Sequence, residues 1–224
     1  MHARLKEVLT RISEDAEREA RWLNTVSLLE FTGARKIGRT VADRHPSLEV
    51  LQHLADETRH ALAFKRLAVA VAGREIGEYL CVDAAVTYFQ TLDRSLAAWA
   101  AHVLAREEVR VNYLLTTTLV EQRAMQVYPL YKAATRQAAV KEELGRIVAE
   151  EQRHRRSIEE VCAEVLGAAG ADLTRPRAIE AALFEGLLAA LEHEVGVQSP
   201  GVRSLDVDPV GSGLSRRLSS KVDP

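Results

Sequence analysis

Two pentapeptides, Asp56-Glu57-Thr58-Arg59-His60 and Glu150-Glu151-Gln152-Arg153-His154, each place a Glu and a His three residues apart. On a helix of 3.6 residues per turn such a pair projects from one face. Each pair follows a solitary Glu set in an apolar helical stripe, Glu30 lying 27 residues before Glu57 and Glu121 lying 30 before Glu151. One Glu-x-x-His is expected by chance in a Glu-rich chain with seven histidines, but the ordered repeat of inward Glu and then Glu-x-x-His is not. The pattern directs four carboxylates and two imidazoles into a core. Left unpaired there, each charge would cost several kcal/mol, against a total stability of ~5–15 kcal/mol for a whole domain. The fold must therefore bring these groups together around something that neutralises them.

Apolar periodicity predicts an all-α chain. A first helix is expected over about 3 to 43, with Val26, Glu30, Ala34, Ile37 and Val41 on one stripe, and His45-Pro46 ends it. Ser47 is the expected N-cap of a second, about 47 to 72, whose stripe of Val50, Leu54, Glu57, Ala61, Phe64, Ala68 and Val71 stops at Gly73. His53, one turn before Glu57, has no counterpart in the other half, and it is read as partly exposed or beside the cluster rather than in it. A segment over about 82 to 105 carries no evident chemistry. It is assigned to the long crossover that a bundle with parallel second and third core helices requires.

The third core helix, about 107 to 134, aligns Leu114, Thr117, Glu121, Met125 and Tyr128, with a kink expected at Pro129. Tyr128 is read as a packed side chain with its hydroxyl satisfied, the alternative being a redox-active or hydrogen-bonding neighbour of the carboxylates. The fourth, about 137 to 166, aligns Leu144, Ile147, Glu151, His154, Ile158 and Val161. Thr174 is expected to cap an extra C-terminal helix that has Pro176 in its first turn and runs to about Gly196. From Ser199 the composition loses all period. The reading is one helical domain over 1–198 and a disordered tail over 199–224.

The 224 residues suffice for one sizeable core. Thirty basic against 32 acidic residues, net −2, leave no electrostatic footprint for nucleic acid or an anionic membrane as main partner. No apolar run approaches the ~20 residues that span a bilayer, and Met1–Lys6 opens an amphipathic stretch, so a soluble, cytoplasmic protein is expected. Cys81 and Cys162 form no Cys-x-x-Cys pair and are read as buried small hydrophobes in a reducing compartment.

Two divalent cations would neutralise the four carboxylates. Hard oxygen donors with one imidazole per ion suit iron or manganese better than zinc. Glu57 and Glu151, each on a helix that also supplies a His, are the expected bridging ligands, with Glu30 and His60 completing one ion and Glu121 and His154 the other. Gly33 and Ala34, one turn from Glu30, leave room beside them. The competing reading is a metal-free polar network.

Glu30, Glu57-x-x-His60, Glu121 and Glu151-x-x-His154 resemble the ligand set of the ferritin-like di-iron carboxylate superfamily, which includes bacterioferritin, rubrerythrin, aldehyde-deformylating oxygenase and the tRNA hydroxylases. The resemblance covers about residues 15 to 165 and implies a ferritin-like four-helix bundle holding two iron ions that react with dioxygen or peroxide. It also implies that Asp56 orients His154; the matching place beside His60 is held by Glu150, one methylene longer. Rubrerythrins carry a second Glu where this chain has Ala124, and usually a Cys-x-x-Cys pair that it lacks. Bacterioferritin-type subunits lack the 82–105 segment, whereas oxygenase branches accommodate such insertions over a substrate pocket.

The implied function is a di-iron oxidoreductase that activates dioxygen to oxidise a small organic substrate, working as a monomer or homodimer. Electrons would come from an external donor, since no flavin, haem or iron–sulfur motif is present. The alternative is a ferroxidase that stores or detoxifies iron. In a third reading the tail serves as a cargo signal: Val210-Gly211-Ser212-Gly213-Leu214-Ser215-Arg216-Arg217 loosely resembles the Gly-Ser-Leu-Arg-Arg peptides that direct ferritin-like cargo into encapsulin shells.

Overall fold

A computed structural model describes residues 1–40, 45–104 and 109–197, with His154 and Ser157 by their backbone alone. The described residues form seven α-helices and no strand: α1 (His2–Ser13), α2 (Ala16–Thr40), α3 (Leu48–Ala72), α4 (Val82–Leu104), α5 (Val109–Ala134), α6 (Ala138–Ala168) and α7 (Thr174–Val195). The single first helix expected over 3 to 43 is in fact two. Leu5, Val8, Leu9 and Ile12 keep the apolar stripe of α1 buried, but the chain turns at Glu14-Asp15, where Asp15 Oδ1 accepts the Arg18 amide at 2.7 Å and starts α2 afresh. The expected helix ends at 43, 105 and 107, and the 199–224 tail, lie outside the described residues.

Helix α3 begins at Ser47, whose hydroxyl accepts the Val50 amide at 3.3 Å, and ends at Gly73 in the left-handed conformation, φ 66°. α5 continues through Pro129 to Ala134. At α7 the expected cap is displaced. Thr174 is the first helical residue rather than the cap, and the longer reach of Asp172 lets its Oδ1 take the Thr174 amide at 2.8 Å.

Packing joins α2 to α3, α3 to α6, α6 to α5 and α5 to α2, a closed ring of four helices. α2 and α3 are antiparallel: Lys65 Nζ donates to Asn24 Oδ1 (2.8 Å) and the Ser27 hydroxyl to the Ala61 carbonyl (2.7 Å), so contacts climb one helix as they descend the other. The loop from Gly73 to Cys81 is fastened to this hairpin, since Asn24 donates to the Glu78 carbonyl and Thr25 to that of Leu80. α7 packs on both α1 and α4, all three pack on α5, and α1 and α4 also lie against α2. They form a second layer over one side of the ring. Fully buried Leu23, Phe64, Leu115, Leu119, Leu144 and Ile147 fill the ring's interior, each side chain worth roughly 1.5–3 kcal/mol on burial.

The outer layer is tied down by a buried ion pair. Arg123 of α5 makes two hydrogen bonds to Glu180 of α7 (2.8 and 2.7 Å), Tyr88 of α4 donates to the same carboxylate (2.7 Å), and the guanidinium stacks on Phe184 at 3.9 Å. No described helix is long and apolar enough to cross a membrane. Cys81, half-buried, and Cys162, buried, are both free thiols.

Candidate metal centre

Helical phase alone turns Glu30 of α2, Glu57 and His60 of α3, Glu121 of α5 and Glu151 of α6 toward the ring's interior. Glu57, Glu121 and Glu151 are 9%, 3% and 3% exposed and His60 is 0% exposed, while Glu30 is half-buried. Glu30 and Glu57 meet side chain to side chain. His60 Nδ1 lies 3.0 Å from Glu151 Oε1 and its Nε2 lies 2.9 Å from Glu150 Oε2. One face of His60 thus looks into the cluster while the other rests on a carboxylate at its edge. Glu150 also accepts from Arg59 (2.9 Å), which reaches Asp56 as well (2.6 Å). The His154 side chain lies outside the described residues, so its expected pairing with Glu121 and with Asp56 has no counterpart among them. The Tyr128 hydroxyl donates to Glu30 Oε1.

His53 changes the picture. Read from the sequence as partly exposed or beside the cluster, it is 3% exposed, with Nε2 at 3.0 Å from Glu57 Oε1 and 3.4 Å from Glu121 Oε1. Its Nδ1 lies 2.8 Å from the Tyr113 hydroxyl. The signal available beforehand was its i, i+4 spacing to Glu57 on a face otherwise apolar. Two groups result in which one donor atom from each residue lies within 4.8 Å of the others: Glu30, Glu57 and His60, and His53, Glu57 and Glu121. Glu57 belongs to both.

Electrostatics describe a site with too much negative charge. Burial, then repulsion from Glu57, holds the Glu30 carboxyl well above the usual range, and burial followed by the charges of Glu151 and Glu57 does the same to Glu121. Burial and the Glu151 charge push Glu57 up to about 7. Burial pulls the His60 imidazole down, but the Glu151 hydrogen bond and the charges of Glu30, Glu151 and Glu57 outweigh it and lift it to about 10. Among the described residues the His60 cation is thus the one positive charge these carboxylates obtain from the cluster itself. It does not satisfy them: among the described residues no donor hydrogen-bonds either oxygen of Glu121, or Glu151 Oε2. Buried acceptors without donors cost ~1–3 kcal/mol each. Hard oxygens and imidazole nitrogens converging in this way fit divalent cations, which would supply the missing charge.

Beside the carboxylates lies a cavity of about 120 Å³. Glu30, His53, Glu57, Glu121 and Glu151 form its polar end, Gly33 opens its side, and Tyr88 and Phe89 of α4 with Phe184 and Leu187 of α7 line it from the outer layer. A Cβ on Gly33 would stand 3.6 Å from Glu57 Oε2. No protein-family model, no curated protein and no solved structure matches the chain.

Proposed function

We propose that the chain is a ferritin-like di-iron oxidoreductase that uses dioxygen to oxidise a small, largely apolar organic molecule held in the cavity. The observation that carries this reading is Glu57, a buried carboxylate shared by two groups of potential ligands, next to Glu121 and Glu151 oxygens that have no donor among the described residues. Glu57 and Glu151 are the bridging candidates, Glu30 and Glu121 the terminal ones, and His60 and His154 the imidazoles of the two repeats. Two iron ions, when bound, supply the redox capacity and the Lewis acidity of the site. Glu150 and Tyr128 hold the first ligand layer in place, one against His60 and one against Glu30. The aromatic and aliphatic wall from α4 and α7 keeps water from the polar end and favours an apolar guest over hydrated iron.

The test is metal content after anaerobic loading with iron, together with the optical spectrum on exposure to oxygen. Wild type is expected to hold two ions per chain and to develop the absorption of an oxo-bridged ferric pair. Glu57→Ala and Glu151→Ala are expected to lose the pair. Retention of two ions by either variant defeats the assignment, whereas a hollow cage that accumulates a mineral core would move the reading to iron storage.

A further inference from the structure

His53 belongs to neither Glu-x-x-His repeat, yet both its nitrogens are engaged in the interior, Nδ1 with the Tyr113 hydroxyl at 2.8 Å and Nε2 with Glu57 at 3.0 Å and Glu121 at 3.4 Å. A neutral imidazole carries one N–H. If that hydrogen sits on Nδ1 and is given to the phenol oxygen, the Nε2 lone pair points among carboxylate oxygens, an arrangement that is repulsive unless a carboxyl proton or a metal ion lies between them. If it sits on Nε2 it goes to Glu57, and the Glu121 carboxylate, 3% exposed, still has no donor on either oxygen among the described residues. A cation among His53 Nε2, Glu57 and Glu121 resolves the first arrangement completely. A ligating imidazole ordinarily has its other ring nitrogen fixed by an acceptor, and Tyr113, itself buried, stands in that place.

We propose that His53 is a metal ligand, holding through Nε2 the ion on the Glu57–Glu121 side, with Tyr113 as the residue that positions it. The inference rests on the dinuclear reading above. It makes the centre unsymmetrical in a way the repeats do not anticipate: His53, Glu57 and His60 all come from two turns of α3, so that one helix provides an imidazole to each ion and the carboxylate between them.

Manganese(II) titration of the full chain, with free ion counted by electron paramagnetic resonance and folding followed by circular dichroism, tests this. Wild type is expected to bind two ions. His53→Ala, and His53→Gln, which keeps more of the volume, should keep one ion and bind the second roughly 100-fold more weakly. Tyr113→Phe should still reach two ions at saturation, with the weaker one lowered ~10–100-fold, the range for loss of an outer partner. Folded His53→Gln that binds both ions within threefold of wild type overturns the assignment of His53 and leaves the dinuclear reading standing. Wild type that binds fewer than two ions overturns both.

Discussion

Replacing Glu121 by Gln exchanges one carboxylate oxygen for an amide that can donate, in a place where neither oxygen receives a hydrogen bond from any described residue and where Glu57 and Glu151 add like charge. In the metal-free protein the substitution removes a buried, unsatisfied acidic group, worth ~1–3 kcal/mol. For a chain of this length each kcal/mol moves Tm by about 2–4 °C, so Glu121→Gln should melt roughly 2–12 °C above wild type in the presence of a chelator. With metal the order reverses. An ion present at 1,000 times its Kd stabilises the fold by about 4.1 kcal/mol, more than the substitution gains, and a variant that no longer holds the ion next to Glu121 forgoes that amount. Calorimetry on both proteins, with chelator and with excess manganese(II), therefore looks for a crossing: the variant higher without metal, wild type higher with it. Glu121→Gln melting below wild type in chelator would refute the view that this carboxylate is held against the stability of the fold.

Protons and metal should compete for the same atoms. With Glu57 at about 7 and His60 at about 10, affinity should rise with pH through 7 and onward, about tenfold per unit for each proton displaced, and calorimetry in buffers of different ionisation heat should detect proton release. Without metal, folded Glu57 keeps a proton that the unfolded chain gives up near its usual 4.5, so stability should fall as pH rises from about 4.5 to about 7. Arg123→Met leaves Glu180 buried without its partner and should cost ~3–5 kcal/mol in chemical denaturation, most of it restored when Glu180→Met is added. Gly33→Leu should fill the cavity and abolish binding of an apolar fluorescent probe while two metal ions are still taken up; loss of the metals instead would place Gly33 in the centre itself.

The inward carboxylates were legible in the sequence because a charge that interrupts an apolar stripe marks its own position: Glu30, Glu57, Glu121 and Glu151 could be placed by counting turns. His53 was not, because its role depends on Tyr113, 60 residues away on another helix, and no spacing rule connects the two. The division of α1 from α2 escaped for a different reason. The apolar period runs unbroken through Glu14-Asp15, and only the capping chemistry of Asp15 reveals the turn. The docking of α4 on α7 was equally hidden, since it is fixed by Tyr88, Arg123 and Glu180 from three helices far apart in the chain.

Tyr88, Phe89, Phe184 and Leu187 border the cavity from helices that bear none of the candidate ligands. On the proposed function, that part of the guest-facing wall would vary independently of the metal ligands, so exchanges at these four positions of α4 and α7 would retune which molecules are admitted while leaving every candidate donor atom in place.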